Sequence, residues 1–214
     1  MNQLNHWREL LRCAALTNAL ATALATALLV GCESVPEAPS DDPRLSWQAQ
    51  LSWLESLQVW RASGRVAVQV PEDGWSASLR WQQRSDGYRI ALSGPFGQGA
   101  VRIDGTASGV VLRTADGGVQ RATSAQQLIA AHLNAEVPVA QLRYWILGRP
   151  APGEKVQELE LNSQGRLQRL VQAGWIVTYQ EYVAHETGAL PKRLQIERAQ
   201  TVARLVLSSW HTGG

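Results

Sequence analysis

The chain has 214 residues, 45% of them hydrophobic, and its 20 basic side chains nearly balance 18 acidic ones. A chain of this length can bury a single core without disulfides. The near-neutral charge excludes a strongly basic nucleic-acid binder as the default interpretation.

Residues 1–31 are typical of a lipoprotein signal peptide. Arg8 and Arg12 form a positive segment, an uncharged apolar run follows, and residues 29–32 read Leu-Val-Gly-Cys, which matches the bacterial lipobox. The thiolate of Cys32 would take a diacylglycerol thioether, and cleavage before it would free an amino group for a further acyl chain. The alternative is an uncleaved membrane anchor with an incidental cysteine.

Residues 32–42 are predicted to be a lipidated, flexible tether, and residues 43–214 the folded domain. The tether is rich in proline, serine and acidic residues, and ten flexible residues reach about 17 Å on average. Removing the leader leaves 18 basic and 17 acidic side chains, a net charge of +1, and no cysteine besides Cys32. Glu33, rather than Asp, follows Cys32 and is compatible with export to the outer membrane.

Hydrophobic periodicity predicts a mainly β domain of the α+β class, with about eleven short antiparallel strands and three helices in one domain. The first helix runs from Asp42-Pro43 to about Leu57 and is followed by alternating strands. A second helix begins at Thr123-Ser124 with Gln127 at the capping-box position. Pro138 is predicted to be the first residue of the third helix. The last five strands are predicted at Val156–Leu161, Leu167–Gln172, Trp175–Tyr182, Leu190–Glu197 and Val202–Trp210.

The central segment from Trp75 to Ile103 reads as three strands and two turns. Its first strand alternates apolar residues with polar ones, as expected of a half-buried strand. The second turn is Gly-Pro-Phe-Gly-Gln-Gly, in which Pro95 suits the second position of a type I turn and Gly97 the fourth. Phe96, the single phenylalanine of the chain, then takes the third position, where a side chain points away from the sheet. The alternative is that Phe96 folds back and covers an edge of the core.

The sequence contains no constellation of residues that would support catalysis. No Gly-x-Ser-x-Gly is present, and His132, His185 and His211 lack metal-ligand spacing. The glycine-rich turn at 94–99 lacks the lysine and the following helix of a phosphate loop. We therefore predict that the chain is not an enzyme, has no catalytic residue and binds no metal or cofactor, which leaves binding or scaffolding roles.

An open sheet with one face rich in tryptophan, leucine and valine must cover that face, and three short helices provide a thin cover. A cavity between sheet and helices that accepts acyl chains would follow from this arrangement. Tryptophan clusters also fill ordinary cores, which is the role predicted for Trp47, Trp53 and Trp60.

The chain resembles the LolB family of outer-membrane lipoprotein receptors over essentially the whole mature domain. The resemblance rests on motifs in order along the chain. They are the lipobox, Ala62-Ser63-Gly64-Arg65, Trp75 to Trp81-Gln82, Tyr88-Arg89-Ile90, Gly94-Pro95-Phe96-Gly97, Val137-Pro138, Leu142-Arg143-Tyr144-Trp145-Ile146-Leu147-Gly148, Trp175 to Tyr179, and Tyr182.

This resemblance implies an incomplete antiparallel β-barrel closed by short helices around a hydrophobic cavity for lipoprotein acyl chains. It also implies a periplasmic carrier, LolA, as partner, with no ATP or cofactor and no nucleic acid. Pro95, Phe96 and Gly97 match the family's membrane-insertion loop, where relatives typically carry Leu. We expect a monomer on the periplasmic face of the outer membrane, anchored in its inner leaflet through Cys32. The residues expected to line the cavity are Val66, Val68, Leu79, Trp81, Ile90, Leu92, Val101, Ile103, Leu128, Trp145, Ile146 and Trp175.

Two other functions remain open from the residues themselves. A structural lipoprotein could bind another envelope protein through its sheet edge, and a lipid- or quinone-binding module is a further alternative. A filled, dry core would favour the scaffold, whereas an apolar cavity opening near Phe96 would favour a carrier of acyl chains.

Overall fold

A computed structural model describes residues 42–97, 99–133, 137–185 and 187–213 of the protein. Three helices are present in this part of the chain: α1 Pro43–Ser56, α2 Ala125–Leu133 and α3 Val139–Trp145. The eleven strands are β1 Trp60–Val70, β2 Asp73–Arg84, β3 Gly87–Ser93, β4 Val101–Thr106, β5 Gly109–Thr114, β6 Val119–Ala122, β7 Val156–Leu161, β8 Leu167–Gln172, β9 Trp175–His185, β10 Gly188–Arg198 and β11 Thr201–Thr212. The predicted leader, the Cys32 lipidation site and the tether up to residue 41 lie outside the described residues.

All eleven strands belong to one antiparallel sheet in the order β6-β5-β4-β3-β2-β1-β11-β10-β9-β8-β7. The chain enters at the middle with β1, runs outward by hairpins to the edge strand β6, and crosses through α2 and α3 to the other edge at β7. It then returns by hairpins to β11, which pairs with β1. The sheet is open, because β6 and β7 are not paired, and the predicted mainly β fold of about eleven strands is confirmed.

Strand β2 illustrates how local sequence sets the two faces of the sheet. Its burial alternates residue by residue: Ala77, Leu79 and Trp81 are buried while Ser78 and Arg80 are exposed. Side chains of a strand alternate between faces, so the apolar set covers the face toward the helices. We call that the inner face and the opposite one the outer face.

Helix α1 begins and ends close to the predicted residues. The Asp42 side chain accepts a hydrogen bond from Arg44 N at 2.8 Å, with Pro43 as the first helical residue. The helix is joined to β10 by Gln50, whose amide donates to the Ala189 carbonyl at 2.6 Å and accepts from Ala189 N at 3.1 Å. α1 therefore lies across the end of the sheet where β9 turns into β10.

Gly188 allows this close approach between α1 and the start of β10. A Cβ atom at Gly188 would lie 2.5 Å from the Trp53 ring and 2.6 Å from Gln50 Oε1. Real Cβ contacts do not come this close, so glycine is required by packing at this position.

Helices α2 and α3 follow the expected capping with one small difference. Gln127 N donates to Ser124 Oγ at 3.4 Å, which confirms the predicted N-terminus of α2. Pro138 was predicted as the first residue of α3, but it occupies the preceding capping position. The reason is that its carbonyl already accepts from Leu142 N at 2.8 Å while its own backbone is not helical. In the described part of the chain, no helix is both long and apolar enough to cross a membrane.

Candidate acyl-chain site

An apolar cavity of about 60 Å³ lies between the inner face of the sheet and the helices. It sits toward one end of the sheet, close to the β1–β2 and β10–β11 turns. Its lining is apolar except for the half-buried Thr201. The residues that line it are Val66, Val68, Trp75, Leu79, Trp81, Ile90, Leu92, Ile129, Val137, Pro138, Val139, Leu142, Trp175, Ile196, Thr201, Ala203 and Leu205.

The structure brings together seven of the twelve residues predicted for the cavity: Val66, Val68, Leu79, Trp81, Ile90, Leu92 and Trp175. The other five, Val101, Ile103, Leu128, Trp145 and Ile146, do not line it. Ile103, Trp145 and Ile146 are fully buried in the surrounding core, Leu128 is buried in α2, and Val101 is half-buried at the sheet end. Which of the twelve contact acyl chains stays a prediction.

Cavity residues missed from the sequence come mostly from β10, β11 and α3. Strand pairing forms one row across the sheet, in which Ile196 lies opposite Ala203, Ala203 opposite Val68, and Val68 opposite Trp75. Period-two alternation places each of these residues on the inner face of its own strand. The strand register, which brings the four together, is not visible in the local pattern.

The start of α3 and the two residues before it cover the cavity. The residues are Val137, Pro138, Val139 and Leu142. Val139 and Leu142 are buried against the sheet. Their contacts are apolar and carry no directional bond, unlike those at the other end of the helix.

The C-terminal end of α3 is held by a buried polar network around Gln172. This side chain is fully buried, and its Oε1 accepts from Trp145 Nε1 and from Ala151 N, each at 2.8 Å. Its Nε2 donates to the carbonyls of Ala151 at 2.8 Å and Glu154 at 3.0 Å. Tyr179 Oη adds a bond to the Trp145 carbonyl at 2.8 Å. The helix is thus fixed at Trp145 by directional bonds.

Two buried tyrosines should resist ionisation: Tyr179, which belongs to this network, and Tyr182, whose ring centroid lies 5.9 Å from that of Tyr179. Burial raises the pKa of Tyr179 well above its ordinary value and also raises the pKa of Tyr182. The unfolded chain loses these protons near pH 10, whereas the folded state keeps them. Their contribution to stability is therefore complete below pH 10 and decreases as the pH rises above it. In an absorbance titration at 295 nm, we expect Tyr179 and Tyr182 to ionise only as the protein unfolds. Ionisation of all four tyrosines with native near-UV dichroism would contradict this.

The turn between β3 and β4 lies at the same end of the sheet as the cavity. Gly97 N donates to the Gly94 carbonyl at 3.1 Å, which closes the predicted four-residue turn around Pro95. Gly97 has φ +79°, a left-handed conformation that glycine adopts without strain. The Phe96 side chain lies outside what the structure describes, so its predicted orientation stays a prediction.

Solved structures of other proteins share the fold described above. A LolA superfamily protein from Nitrosomonas europaea superposes with a TM-score of 0.52 at 10% identity, covering 78% of this chain and 94% of that one. A DUF1329 family protein from Desulfovibrio piger gives a TM-score of 0.50 at 8% identity, covering 80% and 93%. At such identities the likeness shows a shared fold alone.

Sequence comparison identifies the family within this class. The family model for the outer membrane lipoprotein LolB matches residues 58–210. The outer-membrane lipoprotein LolB of Halorhodospira halophila is 42% identical over 191 residues, covering 89% of this chain and 93% of the relative. That of Nitrosococcus oceani is 40% identical over 187 residues, covering 87% and 93%.

The chain belongs to the outer-membrane lipoprotein LolB family. Membership confirms the resemblance predicted from the motifs, including the prediction that the protein is not an enzyme. It also supports a role in lipoprotein localisation at the outer membrane.

Proposed function

We propose that this protein is the receptor that accepts lipoprotein acyl chains from the periplasmic carrier LolA and inserts them into the inner leaflet of the outer membrane. It would act as a monomer on the periplasmic face, attached through a lipidated Cys32, with residues 32–42 as tether and 43–214 as the working domain. The observation that carries the proposal is an apolar cavity at the sheet end that also bears the Phe96 turn. Family membership supports it.

The cavity must widen to hold an acyl chain. Its volume of about 60 Å³ is well below the ~300–1,000 Å³ of ordinary ligand pockets. Widening the sheet would break strand hydrogen bonds. Displacing the first turn of α3 would separate apolar contacts and a single exposed side-chain hydrogen bond, from Gln141 Nε2 to Glu154 Oε1 at 3.5 Å. Because Trp145 is fixed by Gln172 and Tyr179, we expect α3 to pivot about its C-terminal end and uncover Val66, Val68 and Trp75.

Transfer between carrier and receptor must follow differences in affinity, because cargo moves only toward the tighter site. Each buried methylene contributes about 0.8 kcal/mol. A receptor cavity that buries two more methylenes than the carrier would therefore favour transfer by roughly tenfold. No nucleotide or cofactor is required for a step of this size.

The test uses proteoliposomes containing the full-length lipidated protein, mixed with carrier that holds a radiolabelled lipoprotein. Label cross-linked to the protein reports acceptance, and label integrated in the vesicles reports delivery. We expect both, in that order. Absence of acceptance by folded protein would overturn the proposal and favour the structural scaffold that binds another envelope protein.

Filling the cavity should block acceptance without unfolding the protein. Ala203 is 6% exposed and lines the cavity between Ile196 and Val68. In Ala203→Leu, the added carbons occupy space that is empty in the native state, so stability should change by less than about 1.5 kcal/mol. We expect acceptance to fall at least about tenfold, because the added side-chain carbons take up the space of about two to three methylenes of cargo.

The matched control is Ala67→Leu, the same change on the exposed outer face of β1. It should leave acceptance unchanged. Equal acceptance by Ala203→Leu and Ala67→Leu would show that this cavity does not hold the acyl chains.

A further inference from the structure

The outer face of β1–β6 carries a concentration of arginines. Within these six strands, all of which the structure describes, a single carboxylate, Asp104, occupies the outer face. The arginines that share this face by strand alternation and register are Arg61, Arg65, Arg80, Arg84, Arg89, Arg102, Arg113 and Arg121. The whole chain has a net charge of only +2, so eight arginines beside one carboxylate are a local excess of positive charge.

The other half of the sheet pairs its charges instead. Arg169 Nε lies 3.1 Å from Glu158, and Lys192 Nζ lies 2.6 Å from Glu181. On the arginine-rich half, Arg84 contacts Asp86 of the β2–β3 turn at 3.3 Å and three arginines share Asp104, so the positive charge there exceeds what intramolecular pairing neutralises.

Asp104 cannot neutralise its surroundings. Its carboxylate contacts Arg89 Nε at 2.6 Å, Arg113 Nη1 at 2.9 Å and Arg102 Nε at 3.2 Å. One negative charge thus serves three guanidinium groups, each between 41% and 48% exposed. Each guanidinium has five N–H donors, so a contact with Asp104 leaves further donors on each group for another anion.

Three of these arginines form a row beside the turn that carries Phe96. Arg80 pairs with Ala91, Ala91 with Arg102, and Arg102 with Arg113, so the small Ala91 side chain separates Arg80 from the other two. We call Arg80, Arg102 and Arg113 the arginine row. Among the described residues, Arg80 has no carboxylate partner.

A groove of about 430 Å³ runs along this row. The hydroxyl-bearing Ser78, Ser93 and Thr114 line it together with the three arginines. Ser93 and Ala100, which flank the turn, also line it. The Thr114 hydroxyl already donates to Asp116. The groove therefore combines guanidinium donors with the hydroxyls of Ser78 and Ser93, and it opens beside the segment proposed to enter the membrane.

The depth of the arginine row matches the headgroup layer. Ala91 precedes Gly94 by three residues, which is about 10 Å along an extended strand. Apolar segments at membrane interfaces penetrate about 5–10 Å into the boundary between headgroups and acyl chains. If the turn inserts to that depth, the row lies level with the lipid phosphates.

We propose that the arginine row is a binding site for an anionic phospholipid headgroup, which holds the β3–β4 turn in the leaflet. This inference rests on the proposed insertion of that turn. Guanidinium groups bind phosphate oxygens in bidentate geometry, and the hydroxyls of the groove complete the set of donors. The site would select membranes that contain anionic lipid and fix the orientation of the cavity mouth above them.

The first experiment measures insertion of the turn in proteoliposomes. A nitroxide at Pro95→Cys in the full-length lipidated protein reports the depth of the turn by electron paramagnetic resonance. The vesicles contain phosphatidylcholine alone or phosphatidylcholine with roughly 30% phosphatidylglycerol. We expect insertion to rise with phosphatidylglycerol and to fall with salt. The row variant combines Arg80→Gln, Arg102→Gln and Arg113→Gln. It should lower the equilibrium constant for insertion on the order of a hundredfold, because each basic residue near an anionic surface contributes about fivefold.

The matched control removes three charges from the same face farther from the turn, as Arg61→Gln with Arg84→Gln and Arg121→Gln. It should retain insertion to within about fivefold. Equal loss in the control, or equal insertion in neutral and anionic vesicles, would overturn the proposal.

A second experiment separates this inference from the proposed function. Native mass spectrometry of the detergent-solubilised full-length protein counts bound short-chain phosphatidylglycerol, with phosphatidylcholine and inorganic phosphate as separate probes. We expect retention of phosphatidylglycerol by the native protein, by Phe96→Glu and by the control, and loss in the row variant. Retention of inorganic phosphate alone would show a phosphate site and not a lipid site, which overturns the proposal.

Three results would distinguish the hypotheses. Failure of the row to retain lipid, with delivery still dependent on Phe96, rejects the arginine site alone. Retention of lipid by the row, with delivery independent of Phe96, rejects the proposed insertion step alone. Loss of acceptance from the carrier in the row variant, without lipid retention in the native protein, would make the row a protein interface and overturn the lipid assignment.

Discussion

Replacing Phe96 with glutamate should abolish delivery of lipoproteins to the vesicles while leaving acceptance from the carrier intact. Burying one phenylalanine side chain contributes about 1.5–3 kcal/mol, whereas a glutamate carboxylate must remain among the headgroups. The turn itself should persist, because its hydrogen bond joins the backbone atoms Gly97 N and Gly94 O. The loss is thus confined to contact of the cavity mouth with the leaflet.

With the proposed lipid anchor at Cys32, membrane attachment would not depend on Phe96. A lipid anchor at Cys32 would contribute about 0.8 kcal/mol for each buried methylene, which exceeds the contribution of Phe96 many-fold. A defect in Phe96→Glu therefore reports delivery and not attachment.

The proteoliposome assay distinguishes the two steps directly. Phe96→Leu is the matched control, because leucine keeps the apolar character, and it should deliver at close to the native rate. Phe96→Glu should accumulate cross-linked lipoprotein, with label in the vesicles reduced at least about tenfold. Normal delivery by Phe96→Glu, or loss of its acceptance, would reject the assignment of this turn to membrane insertion.

The elements of the fold could be predicted because their signals are local. Alternation from Trp75 to Trp81 determines both the strand and its buried face, and Asp42-Pro43 determines the start of α1. These signals involve residues a few positions apart, and the same physical preferences operate in the folded chain. Pro138 differed by one position because a capping residue and a first helical residue share similar sequence preferences.

The cavity could be predicted only in part because alternation gives the face of a residue and not its depth. Ile90 and Ile103 are cross-strand partners on the same face. Ile90 lines the cavity, whereas Ile103 is packed solidly beneath neighbouring side chains. The difference depends on where the helices cross the sheet, and those contacts join residues far apart in sequence.

The role of Gln172 was likewise not predictable from its surroundings in sequence. It ends a strand beside a turn, where a polar residue is ordinarily exposed. Its partners Trp145, Ala151 and Glu154 lie 18 to 27 positions away. A buried amide with all of its hydrogen-bonding capacity used is recognisable only after the chain has folded.

Removing this amide should produce the largest loss of stability among the changes considered. Gln172→Leu keeps the approximate volume but leaves Trp145 Nε1, the Ala151 N–H and the carbonyls of Ala151 and Glu154 without their buried partner. Each unsatisfied buried group costs about 1–3 kcal/mol, and the groups share one site, so we expect a loss of about 4 kcal/mol. For a domain of this size, that lowers the melting temperature by roughly 8–16 °C. The exposed Gln164→Leu in the β7–β8 turn is the control and should stay within about 0.5 kcal/mol.

Gln172→Glu tests whether hydrogen bonding, and not side-chain shape, is responsible. A carboxylate at this position would face the Ala151 and Glu154 carbonyls that now accept from Nε2. Burial and these two acceptors should raise the pKa of the new carboxyl above its unfolded value. The neutral acid can donate one hydrogen bond, so the stability of the variant should be closest to that of the native protein below about pH 4, near the pKa of the carboxyl in the unfolded chain. Stability should then decrease as the pH rises through the pKa of the carboxyl in the folded state. Urea unfolding at several pH values, compared with the native protein and Gln164→Glu, measures this difference. A deficit that does not change with pH would mean that α3 is held at Trp145 by packing alone, and the proposed pivot of the helix over the cavity would lose its fixed point.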